Sequence, residues 1–285
     1  MNRGVRCRSG GRPIPGKDSS MDTVISKDGS VIAFERTGSG PPLVLVDGAL
    51  CSRDFGPMPA LAKRLANDFT VYCYDRRGRG GSTDAQPYAA VHEIEDIAAL
   101  IEHAGGEAFL YGVSSGAALA LRAAAVELPI RKVAVFEPPW EIDRLPAIPM
   151  DVHRARLNAL LDAGRRGDAV KYFMRDMVGL RGFTATVMLA AMRLSPVWRK
   201  LEAVAHTLPY ETGILGDGIL PREMLASIGI PVLAMAGGKS PEALQEPARV
   251  IAESCRTAQA RTLPGQTHNA SADAIAPELI AFFRA

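Results

Sequence analysis

The sequence predicts an α/β protein: a mainly parallel, doubly wound sheet of about eight strands, with a helical cap inserted. Three observations predict it. Short apolar runs alternate with amphipathic helical segments from residue 21 onward. One stretch, 150–209, carries helical periodicity and no strand. Between a strand-like run and an Ala/Leu-rich run stands Gly112-Val113-Ser114-Ser115-Gly116.

Each element follows in order. From residue 21 three strands open the pattern, with the second at 31–36. Residues 42–47, with Leu43-Val44-Leu45-Val46, form a continuous apolar run suited to a central strand covered on both faces. A helix over 59–66 precedes a strand at 69–74. Over 91–103, Ile94, Ile97, Leu100 and Ile101 share one helical face. A strand at 108–111, a helix over 117–126 and a strand at 132–136 follow. After Pro138-Pro139 the rhythm turns helical. Strand character returns at 231–236, then a helix over 241–254, a strand at 260–263 and a last helix over 277–284. The reading divides the chain into a core at 21–138 and 221–285 and a cap at 139–220. Open α/β sheets place ligand sites at the carboxyl edge, which is where such an insertion sits.

Residues 1–20 differ from the rest. They carry Arg3, Arg6, Arg8, Arg12 and Lys17 with no acid before Asp18, and no apolar stretch of the kind a secretory signal needs. We read them as a disordered extension, or as an upstream start before Met21. Over the whole chain, 47% hydrophobic and 22% charged residues are ordinary for a soluble globular protein. A net charge of +2 gives no footprint for nucleic acid or an anionic membrane. No apolar run is long enough to span a bilayer. Cys7, Cys51, Cys73 and Cys255 show no paired spacing and read as reduced thiols, hence a cytoplasmic setting. The expected partner is a small-molecule substrate, met by a monomer or homodimer, with no nucleic acid or membrane.

The pentapeptide is the most informative stretch. By itself it arises by chance in roughly one chain in ten of this length. Its surroundings make it specific: a serine on a sharp strand-to-helix turn projects its hydroxyl above the sheet, at the positive end of the helix.

On four signals in sequence order, the chain resembles the α/β-hydrolase family with a helical cap, over nearly all of 21–285. These are Asp47-Gly48-Ala49-Leu50 after the third strand, and Asp75-Arg76-Arg77-Gly78-Arg79-Gly80-Gly81-Ser82 after the fourth. The elbow at 112–116 and Gly265-Gln266-Thr267-His268-Asn269 after the last strand complete the set. The resemblance implies a serine hydrolase with Ser114 as nucleophile and His268 as base. It implies an oxyanion hole from the Ser115 N–H and a second N–H from Ala49, with the neighbouring Leu50 as the alternative donor and as a residue expected to meet substrate. It implies no metal and no organic cofactor. An aspartate at the elbow would point to haloalkane or epoxide opening, and Ser114 points away from both.

Two departures stand out. The usual Gly-x-x-Asp after the next-to-last strand is Gly237-Gly238-Lys239-Ser240 here, so Ser240 replaces the acid. Glu137, straight after the strand that follows the elbow, is the alternative acid, with Glu242 and Asp273 as fallbacks. A bland reading pairs Glu137 with an arginine of the Asp75 loop. Asp47 stands where the family usually has His; we expect it to brace the loop, for example against Arg76, with a polar contact to substrate or a second proton-transfer group as the functional alternatives. Arg76, Arg77 and Arg79 read as braces of the sheet edge. The cap's Trp140, Phe173, Met174, Met177, Phe183, Met188, Met192 and Trp198 are mostly packing, with some, such as Trp140, expected to meet substrate. The expected reaction is ester, thioester or lactone cleavage of a small apolar substrate through an acyl-enzyme. The rivals are a cofactor-free lyase, perhydrolase or cyclase, and a non-catalytic small-molecule binding protein.

Overall fold

The computed structural model describes residues 21–180 and 182–285. The expectation for 1–20 lies outside the described residues. In chain order the strands are β1 (Asp22–Ile25), β2 (Val31–Gly38), β3 (Pro42–Val46), β4 (Thr70–Tyr74), β5 (Ala108–Val113), β6 (Ile130–Phe136), β7 (Val232–Gly237) and β8 (Ala258–Leu263). They form one sheet in the order β1-β2-β4-β3-β5-β6-β7-β8. β2 pairs antiparallel with both β1 and β4. All pairings from β4 to β8 are parallel. Parallel strands need crossovers, and helices supply them.

The helices are α1 (Met58–Leu65), α2 (Ala90–His103), α3 (Ser115–Ala124), α4 (Met150–Asp162), α5 (Arg166–Tyr172), α6 (Phe183–Met192), α7 (Pro196–Val204), α8 (Leu208–Leu215), α9 (Arg222–Ser227), α10 (Glu242–Ser254) and α11 (Ala272–Arg284). The period of two along each strand sends alternate side chains to opposite faces. Val44, Val46, Leu110, Val133 and Val135 meet Ile97, Leu100 and Ile101 of α2 and the alanines of α3. Leu43, Leu45, Phe109, Ala134 and Met235 meet Leu61 and Leu65 of α1 and Leu279, Phe282 and Phe283 of α11. Burying one such side chain stabilises by about 1.5–3 kcal/mol, which is why the central strands read as unbroken apolar runs.

The helices between β6 and β7 build a third core. Leu157, Leu160, Val170, Phe173, Trp198, Leu201 and Leu208 pack in it, and so does Leu50 from the loop after β3. The insert is thereby anchored to the carboxyl end of the sheet. Breaks inside 150–209 fall where the chain turns left-handed at Gly164, Gly179 and Gly182, and at Pro196, which opens α7.

The last helix corrects the sequence reading. It begins at Ala272 rather than at Pro277, and Pro277 lies inside it. The Ser271 hydroxyl caps it by accepting the Ala274 N–H at 3.3 Å. Pro277 forfeits one helical hydrogen bond; burial of Ile275, Ala276 and Leu279 offsets that loss. Cys51, Cys73 and Cys255 are free thiols. Among the described residues no helix is long and apolar enough to cross a membrane.

Candidate active site

Ser114 joins β5 to α3 with φ 56° and ψ −128°. Its N–H donates to the Phe136 carbonyl at 2.9 Å, and its own carbonyl accepts the Ala117 N–H at 2.9 Å. The turn is possible because its flanks carry no side chains. A Cβ on Gly112 would lie 2.3 Å from the Gly116 carbonyl oxygen, and one on Gly116 would lie 2.3 Å from that of Val46. The helix therefore rests directly on the ends of β3 and β5. Gly48 also lies against the serine: its Cβ would stand 3.1 Å from Ser114 Cβ.

Glu137 follows β6 in a left-handed conformation, φ 47°, and is fully buried. Its N–H continues the pairing with β7 by donating to the Met235 carbonyl at 3.0 Å. Both carboxylate oxygens have partners. Oε1 accepts the Gly237 N–H at 2.7 Å. Oε2 stands 2.6 Å from Nδ1 of His268, in the loop after β8. A carboxylate at Nδ1 keeps the proton on that nitrogen and leaves Nε2 free to accept. A buried carboxylate is costly without partners, and this one has two.

The structure thus brings Glu137 and His268 together. The other carboxylates stand elsewhere: Glu242 meets Arg249 at 3.4 Å and Asp273 meets Arg64 at 2.7 Å, both on the surface. Ser240, at the usual acid position, is buried, and its hydroxyl has no partner among the described residues. Gly237 as the second donor to Glu137 was not legible in the sequence, because a backbone N–H leaves no residue-type signal.

Asp47 directly follows β3 and is buried. It does not brace Arg76 through its carboxylate. Arg76 Nη1 donates instead to the Asp47 backbone carbonyl, at 3.3 Å, and Oδ1 has no partner among the described residues. Burial pushes the Asp47 carboxyl up to about 7, against the pull of Arg79, Arg76, the Cys51 thiol and the Gly48 backbone. Leu50 holds φ 62°. Trp140 corrects a second expectation. It is 1% exposed, packs in the core beside α3 and donates Nε1–H to the Leu215 carbonyl at 3.2 Å, so it is a packing residue. Phe173 and Trp198 are likewise buried, whereas Phe183 and Met188 are exposed.

The three arginines after β4 are internal. Arg77 pairs with Asp96 and Asp28, both at 2.6 Å. Arg76 pairs with Glu93 at 2.7 Å and with Glu211 of α8 at 3.3 Å. Burial works against the Arg76 charge, but Glu211 and Glu93 outweigh it and raise its pKa well above normal. Arg79 also pairs with Glu211. Glu211 was missed in the sequence, since nothing local marks it as the shared partner of residues so far upstream.

A profile of the alpha/beta hydrolase family matches residues 31–279. An alpha/beta hydrolase from Sphaerobacter thermophilus DSM 20745 is 52% identical, with a TM-score of 0.85 over 92% of this chain and 100% of that one. A thermophilic esterase from Thermogutta terrifontis is 19% identical, TM-score 0.72, over 93% and 97% of the two chains. The enol-lactonase from Burkholderia xenovorans LB400 is 20% identical, TM-score 0.70, over 93% and 100%. The chain belongs to the alpha/beta hydrolase family, and its eight-stranded, mostly parallel sheet with helices is that fold.

Proposed function

We propose that the protein is a serine hydrolase that cleaves an ester, thioester or lactone of a small apolar substrate through an acyl-enzyme. The observation that carries this reading is the 2.6 Å pair of Glu137 and His268 in a chain whose elbow presents Ser114. In the first step His268 Nε2 takes the Ser114 proton while Oγ attacks the substrate carbonyl. Negative charge grows on the carbonyl oxygen. The N–H groups of Ser115 and Ala49 receive it, and neither has a hydrogen-bond partner among the described residues. Collapse breaks the bond to the leaving group, which takes the proton back from His268. Water then repeats the sequence, giving the acid and free Ser114. Glu137 holds the imidazole and stabilises its protonated form without itself taking the proton.

The test is Ser114→Ala with short p-nitrophenyl esters and a fluorophosphonate probe. Parent protein should turn over the esters and carry one phosphonyl group on Ser114; the variant should fold and do neither. Equal turnover by the two proteins would sink the nucleophile assignment. A folded parent that is never labelled would favour a non-catalytic binding protein.

A further inference from the structure

We propose that Arg79 and Arg76, joined through Glu211, are positioning residues that set the direction of the Ala49 N–H. The inference rests on the oxyanion role given to Ala49 above. Arg79 Nη1 donates to the Gly48 carbonyl at 2.6 Å and to the Cys51 carbonyl at 3.2 Å. Arg76 Nη1 donates to the Asp47 carbonyl at 3.3 Å. The loop over 47–51 is therefore held by three of its carbonyls on two guanidinium groups.

Peptide planarity turns this into an orientation. In a trans peptide the C=O and the following N–H point in opposite directions. The Gly48 carbonyl faces Arg79, so the Ala49 N–H of the same peptide faces away from it. That peptide begins at the glycine lying against Ser114. The Ala49 and Leu50 N–H groups have no hydrogen-bond partner among the described residues. Leu50 is held at φ 62°, a conformation that needs outside support in a residue with a bulky side chain.

The arginines are fixed in turn. Glu211 accepts from both, and Arg79 Nε also donates to the Thr207 hydroxyl at 3.3 Å. Glu93 takes the rest of the Arg76 fork at 2.7 and 2.8 Å. Two cations and two carboxylates balance there, all four side chains buried. Buried ion networks are weak sources of stability compared with apolar packing. What this one supplies is fixed geometry, and because Glu211 lies on α8, it ties the helical insert to the loop beside the nucleophile.

Arg79→Lys tests the clamp. Lysine keeps the charge, but its compact ammonium cannot reproduce the planar fork that spans Gly48, Cys51 and Glu211. With a p-nitrophenyl ester, kcat should fall about 10²-fold, the scale of losing one oxyanion donor, while KM stays within about twofold. Affinity for an alkyl boronic acid, which forms a tetrahedral adduct on Ser114, should fall in parallel. In the free protein, ¹⁵N relaxation should show the Ala49 and Leu50 amides gaining motion while that of Ser115 does not. The relaxation readout is independent of the reaction. A parent without esterase activity whose Ala49 still loosens in the variant would defeat the hydrolase reading and leave the clamp standing. Glu211→Gln, nearly isosteric, should give the same pattern at smaller size and serves if Arg79→Lys does not fold. Unchanged kcat and amide motion with a lower Tm, or failure of both variants to fold, would make the cluster a brace only and overturn the proposal.

Discussion

A serine at φ 56° sits in a backbone region that costs a side-chain-bearing residue about 1–3 kcal/mol. The surrounding contacts hold it there, and the same is true of Glu137 at φ 47°. Glu137 makes the sharper test of the site. In Glu137→Gln the amide oxygen would keep the Gly237 N–H, leaving the NH2 group facing His268 Nδ1. Nδ1 must then accept, so the proton moves to Nε2, which can no longer take one from Ser114. Turnover should fall by about 10⁴-fold, the scale seen when a triad aspartate becomes asparagine in a serine protease, while the variant stays folded. Titration of a ¹⁵N-labelled His268 should show the tautomer exchanged; activity near the parent's would remove Glu137 from the mechanism. At this scale the sequence was informative wherever chemistry fixed the residue type. Ser114 and His268 stood in motifs, and Glu137 ended an apolar strand against two prolines. The partner that helps to place Glu137 is a backbone N–H at Gly237, and the carboxylate that Arg76 and Arg79 share is Glu211, far away in sequence; no pattern points to either.

The elbow is a contact between elements more than a property of Ser114. α3 can begin where it does only because Gly116 lets its first turn touch the ends of β3 and β5. In Gly116→Ala the new methyl would stand 2.3 Å from the Val46 carbonyl oxygen and 2.5 Å from that of Asp47. Both are rigid strand-end backbone, so the helix must move. Destabilisation of about 1–3 kcal/mol follows from such overpacking, and displacement of Ser114 should cut turnover per folded molecule as well. Urea unfolding with parallel ester assays checks both; a fully stable, fully active variant would mean that the helix has slack. Strands and helices were legible for the same reason. Burial on both faces writes unbroken apolar runs such as 43–46, and one-sided burial writes the helical spacing of Ile97, Leu100 and Ile101. The start of α11 was not legible because Pro277 resembles a helix opening, and only packing shows that the helix passes through it.

Over the whole molecule, Asp47 couples folding to pH. Its carboxyl is pushed from an ordinary 3.8 up to about 7, chiefly by burial. The sign follows from proton counting. Between these values the folded chain holds a proton that the unfolded chain has released, so stability falls as pH rises. The contribution of this one group is complete below about pH 4, where both states are protonated, and is lost as pH passes about 7. Its slope reaches at most about 1.4 kcal/mol per pH unit. Arg76 and Arg79 soften the penalty but do not cancel it, and Oδ1 has no partner among the described residues. Asp47→Asn removes the titration and keeps the shape. Relative to the parent, the variant should therefore gain on the order of a few kcal/mol in urea unfolding at pH 8 compared with pH 4. Other acids titrate in both proteins, so the difference between them isolates Asp47. Parallel stability curves across that range would mean that the carboxylate is ionised throughout, satisfied by partners absent from this arrangement. A variant that gained stability only below pH 4 would reverse the sign and refute burial as the cause.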